Sequence, residues 1–296
     1  DEILTSLRDY KHQDIAILYR VNAQSRAFEE AFMRRGIAYQ IVGGFKFYER
    51  KEVKDALSYL RLILNPEDEV SKNRALKLGK RRYIKFSTWR DKQLQLNPLE
   101  ALEGSLKASD YLGKYNKEDP QDLARIENIQ ELLNVAAKFQ DLATFLENIA
   151  LVQDKYLADI SDQNQQSSIT LMSFHAAKGL EFPGVFMVGM EEGLLPHSRS
   201  LYDTKQLEEE RRLCYVGITR AKNKLYLSYA KRRWQYGQSS PALKSRFLNE
   251  INSKLMIKKG EPIDSHQTPK RRLIIEDDVL DSVLSGDIDL DAFLKS

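Results

Sequence analysis

From the amino terminus, apolar and polar positions predict strand, helix, strand and helix in turn. Asp14–Tyr19 (DIAILY) is a short apolar run closed by a polar turn, the pattern of a buried strand. Asn22 is placed to cap the helix-spaced segment QSRAFEEAFMRRG, which stops at Gly36. Ile37–Val42 reads as a second strand, halted by Gly43 and Gly44, and Glu52–Leu64 carries helical spacing up to Asn65 and Pro66. Such alternation points to an α/β sheet.

The pattern then changes. Residues 69–166 read as helical almost throughout, as in Leu123–Phe139 and Leu142–Tyr156, until the polar stretch SDQNQQSS (161–168), which reads as a linker. Beyond it the α/β pattern resumes. Ile169–Phe174 and Val185–Val188 are expected strands, Leu207–Ala221 a helix and Leu225–Tyr229 a further strand. A helix of about a dozen residues is expected after Ser240 and Pro241. Residues 1–68 and 167–256 are therefore expected to form one α/β domain, interrupted by a helical domain over 69–166. Residues 257–296 are expected to be an exposed linker and an acidic tail. No internal repeat is visible.

Composition and charge narrow the function. Hydrophobic residues make up 42% of the 296, enough for a sizeable core. The single cysteine, Cys214, excludes an internal disulfide and a cysteine-based zinc site, and suits a reducing compartment. Neither a leader segment nor an apolar run of about 18 residues is present, so a cytoplasmic protein without a membrane partner is expected. The net charge of +3 is unevenly spread: Glu276–Ser296 holds seven acids and one lysine, which leaves 45 basic and 36 acidic side chains in the first 275 residues. A basic body permits nucleic-acid binding, although an ordinary mildly basic surface would look the same. The tail reads either as a short helix that docks on a partner or as a solvated end.

Three stretches carry candidate chemistry. In LYRVNAQSR (18–26), Tyr19 and Arg20 fall at the carboxyl end of a strand, where open α/β sheets bind ligands. The ring can stack on a base and the guanidinium can pair with phosphate, but a part-buried tyrosine and a surface ion pair explain this stretch equally well. In ITLMSFHAAKGLEFPGVFMVG (169–189), His175, Lys178, Gly179 and Glu181 crowd the connection between two apolar strands. His175 and Lys178 can hold phosphate, and Glu181 can accept hydrogen bonds from sugar hydroxyls. In EEERRLCYVGITRA (208–221), the three glutamates suit the positive end of a helix dipole. Arg220 suits the negative end, or else a phosphoryl group undergoing transfer. A phosphate loop is missing: Gly79-Lys80 and Gly113-Lys114 lack both the upstream glycine and the following Ser or Thr. No expected strand ends in a carboxylate pair suited to magnesium.

In this order the three stretches resemble motifs IV, V and VI of the UvrD/PcrA/Rep family of superfamily 1A DNA helicases. GGFKFYERKEVKDALSYLRLILNPED (43–68) resembles the same family, and the likeness covers about residues 14–70 and 168–250. It implies a RecA-like parallel-sheet domain of the P-loop NTPase type, without the loop itself, interrupted by a mostly helical accessory domain. It also implies the C-terminal half of an ATP-dependent 3′–5′ DNA helicase, whose ATP and Mg2+ are bound mainly by an N-terminal RecA-like domain of the same parent protein. By motif position, Tyr19 would stack near adenine, Arg20 and Arg220 would reach the γ-phosphate, and Glu181 would bind ribose. Ser173, His175 and Lys178 would lie near single-stranded DNA. Duplex DNA is a further implied partner, and a repair protein could dock at the acidic tail. The family's Gly-Ile-Gly turn is replaced by KRRYIKFST (80–88), which puts duplex contact in doubt. Two other readings stay open: a non-catalytic helicase-derived module that binds DNA or a partner, and a helicase–nuclease subunit, for which the tail shows no carboxylate–lysine cluster.

Overall fold

The computed structural model describes residues 2–93, 95–161, 168–235 and 238–259. Most of the expected 161–168 linker, the linker beyond residue 259 and the acidic tail lie outside the described residues.

Five parallel strands form the central sheet in the order β2-β3-β1-β4-β5. They are β1 (Ile15–Tyr19), β2 (Tyr39–Val42), β3 (Ile169–Ser173), β4 (Phe182–Val188) and β5 (Ala221–Ser228). The two halves of the α/β pattern thus interleave, with β3 from the second half inserted between β1 and β2 of the first. Successive side chains of a strand face opposite ways, and both faces are filled. Ile15, Ile17 and Tyr19 pack with Ile169, Leu171 and Phe186 beneath Phe28 and Phe32 of α2 (Ser25–Arg35), with Ile3 of α1 (Glu2–Ser6) beside them. Ala16, Leu18, Met172, Val185 and Met187 pack on the other face beneath Leu207, Leu213 and Cys214 of α9 (Thr204–Ile218).

Between β2 and β3 come α3 (Lys51–Leu64), α4 (Glu69–Lys77), α5 (Lys80–Arg90), α6 (Pro98–Ala108), α7 (Pro120–Ala136) and α8 (Leu142–Ser161). Capping fixes several starts: Asp68, Asn97 and Asp119 accept backbone N–H groups at the heads of α4, α6 and α7, and Pro98 and Pro120 occupy first-turn positions. These helices share a core that begins at Phe47 and Tyr48 and runs through Leu57, Leu60, Phe86, Leu102, Leu132 and Phe145. The chain up to Ile251 forms one compact unit. The residues from Asn252 form a second, whose described part holds one 3-10 turn, Ser253–Leu255. No described helix is long and apolar enough to cross a membrane.

Several local expectations change. Asn22 does not cap α2; it opens a separate 3-10 turn, Asn22–Gln24, and α2 starts at Ser25. Gly36 ends that helix as expected, in a left-handed conformation at φ 63° that suits glycine. A helix of a dozen residues does not follow Pro241. A 3-10 turn at Arg246–Asn249 stands there, because Glu192 accepts the Arg246 N–H at 2.7 Å and its guanidinium at 2.7 Å and holds the chain against the sheet edge. An antiparallel hairpin, β6 (Arg232–Gln235) with β7 (Gln238–Pro241), precedes it and carries no clear sequence signal.

Candidate functional site

The parallel register divides the singled-out residues between two edges of the sheet. Tyr19 pairs with Ser173 at the carboxyl ends of β1 and β3, so Arg20, Ser173 and His175 gather at that edge. Phe182 pairs with Ala221 at the amino ends of β4 and β5, so Glu181 and Arg220 gather at the opposite edge. Lys178 is exposed on the crossover that joins β3 to β4.

At the carboxyl edge lies a cleft of about 530 Å³. Arg20, Asn22, Ser173 and His175 line it from the ends of β1 and β3, His197 and Arg199 from the segment after β4, Gln206 from α9, Glu127 from α7 and Glu118 from the loop before α7. Arg20 is fixed by Glu210 of α9: Nε donates to both carboxylate oxygens at 3.1 Å and Nη2 donates at 2.8 Å. Glu210 is 5% exposed, and its Oε2 also accepts the His197 backbone N–H at 3.0 Å. One buried carboxylate therefore sets both the arginine and the turn that carries His197. The His197 Nδ1 accepts the Arg199 N–H at 3.4 Å, which leaves Nε2 to donate to Glu127 at 2.9 Å. Arg199 reaches Glu118 at 3.1 Å. Partial burial and the Arg20 guanidinium hold the His175 pKa below the ordinary histidine range, against the opposing pull of Glu210.

At the amino edge Arg220 follows the last turn of α9 and folds back over it. Its Nε donates to the Val216 carbonyl at 2.9 Å, Nη1 to the Leu180 carbonyl at 3.0 Å and Nη2 to the Thr219 hydroxyl at 3.0 Å. All three acceptors are neutral, and among the described residues no carboxylate oxygen lies within 4 Å of it. Glu181, next to Leu180, is exposed and, among the described residues, pairs with Lys222 at 3.7 Å. An uncompensated guanidinium beside an open carboxylate suits a ligand that carries both an anionic group and hydroxyls, so these residues fit the outer face of a nucleotide. They form no cradle for its phosphates. The described residues also bring together no three His, Cys, Asp or Glu able to hold a metal, so no step through magnesium is assigned to this chain.

Two groupings suggested by the motifs are not brought together. Tyr19 is 1% exposed, within the apolar face that includes Ile17 and Phe32, and it offers no ring face to a base. Burial also raises its pKa. Arg20 and Arg220 do not converge: the first is held at Glu210 and the second at Val216, six residues or about 9 Å further along the helix, at the other end of the strands. Arg20 instead joins Ser173 and His175. Sequence reasoning missed Glu210 as a site residue because all three glutamates of EEERRL suited the helix dipole equally. Only burial separates Glu210 from Glu208 and Glu209, which are exposed and pair with Arg211 and Arg212. His197 was missed as well, since it lies beyond residue 189, outside the three quoted stretches.

The chain is similar to known proteins along most of its length. A family model described as the UvrD-like helicase C-terminal domain matches residues 1–96 and 81–232. The ATP-dependent DNA helicase PcrA of Bacillus subtilis strain 168 is 38% identical over 318 residues, covering 89% of this chain and 43% of that protein. The protein of the same name in Staphylococcus aureus strain Mu50 is 35% identical, and that in Staphylococcus epidermidis 36%, each covering 89% of this chain and 42% of the relative. The chain thus spans less than half the length of these relatives. With the family model matching well over half of its residues, the chain belongs to the UvrD-like helicase C-terminal domain family.

Proposed function

We propose that the chain is the C-terminal part of an ATP-dependent 3′–5′ DNA helicase and completes a nucleotide site whose phosphate loop lies on a companion RecA-like domain. The observation that carries this reading is Arg220, a guanidinium held only by neutral acceptors beside the open carboxylate of Glu181. ATP, held mainly by the companion domain, supplies the γ-phosphoryl group and the free energy of hydrolysis. Arg220 brings positive charge to that group as the two domains close, and Glu181 accepts from sugar hydroxyls. Because Arg220 rests on carbonyls, it can turn towards an anion without first giving up an ion pair.

The carboxyl-edge cleft serves the single strand. Ser173 and His175 supply its donors, and Lys178 adds charge on the adjoining crossover. Tyr19 is accordingly a core residue, and Arg20 stands at the wall of the cleft, held by Glu210. Residues 69–166 act as an accessory domain inserted between residues 1–68 and 167–256 and rooted through α3, whose apolar face already belongs to the helical core. On it, KRRYIKFST lies within α5 with Lys80, Arg81 and Lys85 exposed, a source of sequence-independent attraction to duplex phosphate.

The test is Arg220→Ala in the full-length protein. DNA-stimulated ATP hydrolysis is expected to fall roughly 10³-fold while single-strand affinity barely changes. Equal, modest losses in both would leave Arg220 as a helix-end residue and overturn the reading.

A further inference from the structure

Two stripes of the same spacing run along α7. Ile129, Leu132, Leu133 and Ala136 enter the core of the helical domain. Pro120, Leu123, Ala124 and Glu127 repeat that i, i+3, i+4, i+7 spacing nine positions earlier, and all four line the carboxyl-edge cleft. Nine positions are about two and a half helical turns, so the earlier stripe faces the opposite way from the core. Leu123 is half-buried yet belongs to none of the three apolar cores, and Pro120 is exposed. The head of α7 therefore turns a second apolar face into a cleft whose other wall is largely polar.

That face is fixed in place. Asp119 caps α7 by accepting the Gln121 and Asp122 N–H groups at 2.8 and 2.9 Å. Further along the helix, Asn128 accepts the Arg50 Nη1 at 2.6 Å and Glu131 accepts the Arg26 Nε at 2.6 Å, which ties α7 to the start of α3 and to α2. Carboxylates stand at both ends of the stripe: Glu118 accepts from Arg199 at 3.1 Å and Glu127 from His197 at 2.9 Å. They place negative charge on the α7 side, while Ser173 and His175 line the sheet side and Lys178 is exposed on the crossover beyond them. A strand in the cleft would turn its phosphates towards the sheet and away from α7.

We infer that the head of α7 is the base-facing wall of the single-strand cleft, with Leu123 at its centre. The inference rests on the reading of that cleft as the single-strand track and assigns the wall opposite the phosphate donors. Pro120, Leu123 and Ala124 carry no side-chain hydrogen-bonding group, so the contact removes water from the face of a base without regard to which base it is. The inserted domain thereby helps to hold the unpaired strand.

The experiment measures binding of oligothymidylate, and of an abasic chain of the same length, to the full-length protein and to Leu123→Ala, Leu123→Met and Lys178→Ala. Leu123→Ala is expected to weaken oligothymidylate binding roughly three- to ten-fold with an unchanged salt slope, and Leu123→Met to retain the unsubstituted affinity. The abasic chain should bind Leu123→Ala and the unsubstituted protein alike. Lys178→Ala should instead lower the salt slope by about one. If Lys178→Ala lowers the slope but Leu123→Ala binds as tightly as the unsubstituted protein, the wall is overturned and the track stands. If Leu123→Ala weakens both ligands by the same factor, Leu123 serves packing and the wall is again overturned. If neither substitution matters, both readings are overturned.

Discussion

Arg20 donates three hydrogen bonds to one buried carboxylate, while Arg220, of the same residue type, meets only carbonyls and a hydroxyl. A bidentate partner fixes direction, so Arg20 presents a set geometry to the cleft; neutral acceptors leave Arg220 with its full charge to offer. His175 stands between the two cases. Its pKa is held down by burial and by Arg20, so in the free protein it is neutral at pH 7. The sign follows for both linkages. The fold favours the neutral ring, so this group's contribution to stability is present above the ordinary histidine pKa and is lost as pH falls through the folded value. A phosphate in the cleft favours the charged ring, so strand binding takes up a proton. Single-strand affinity is expected to rise as pH falls from about 7.5 to about 5.5, and the rise should disappear in His175→Gln. Affinity titrations across that range check it, and an identical rise in the variant would assign the effect elsewhere.

At the scale of elements, α9 is defined by how closely it seats on the sheet. Gly217 faces inward, and a Cβ there would meet the Phe174 ring at 2.8 Å and the Met187 methyl at 2.9 Å. Gly217→Ala would gain roughly 1 kcal/mol of helix propensity. Overpacking of about 1–3 kcal/mol against buried, hemmed-in neighbours matches or exceeds that gain, so the variant is expected to be less stable by up to about 2 kcal/mol. Denaturant unfolding measures it, and a more stable variant would show that the helix can lift. Much of this layer was legible: β1, β3 and the end of α2 at Gly36 follow from short apolar runs and a glycine stop. The full lengths of β4 and β5 did not, because Phe182-Pro183-Gly184 and Ala221-Lys222-Asn223-Lys224 lack alternation and become strand only by pairing with each other. The start of α9 at Thr204 was also hidden. Asp203 caps it by accepting from Lys205 and Gln206, ahead of the apolar stripe that periodicity detects.

At the scale of the whole molecule, one edge of the sheet opens on a cleft, while Arg220 and Glu181 stand at the other. The isolated 296-residue chain is expected to show no DNA-stimulated ATP hydrolysis, since its sequence carries no G-x-x-x-x-G-K-[ST] phosphate loop. Turnover at a rate typical of an intact helicase, about 1 per second or more, would overturn that expectation. The motifs named the family and singled out most of the candidate residues, but they could not sort them by edge. Arg20, Glu181 and Arg220 look alike as a list of polar groups at element ends. Their separation depends on strand direction and register, which no single stretch encodes. The interleaving of β3 between β1 and β2 is likewise a long-range fact, written in neither half alone.

The seating of α9 has a mechanical consequence. A helix whose Gly217 backbone is notched between Phe174 and Met187 has almost no axial play. Glu210 and Arg220 are rigidly spaced along it, and Glu210 grips Arg20. Any displacement of the Arg220 end along the helix axis would thus pull on Arg20 and the His197 turn through Glu210, as through a tie rod.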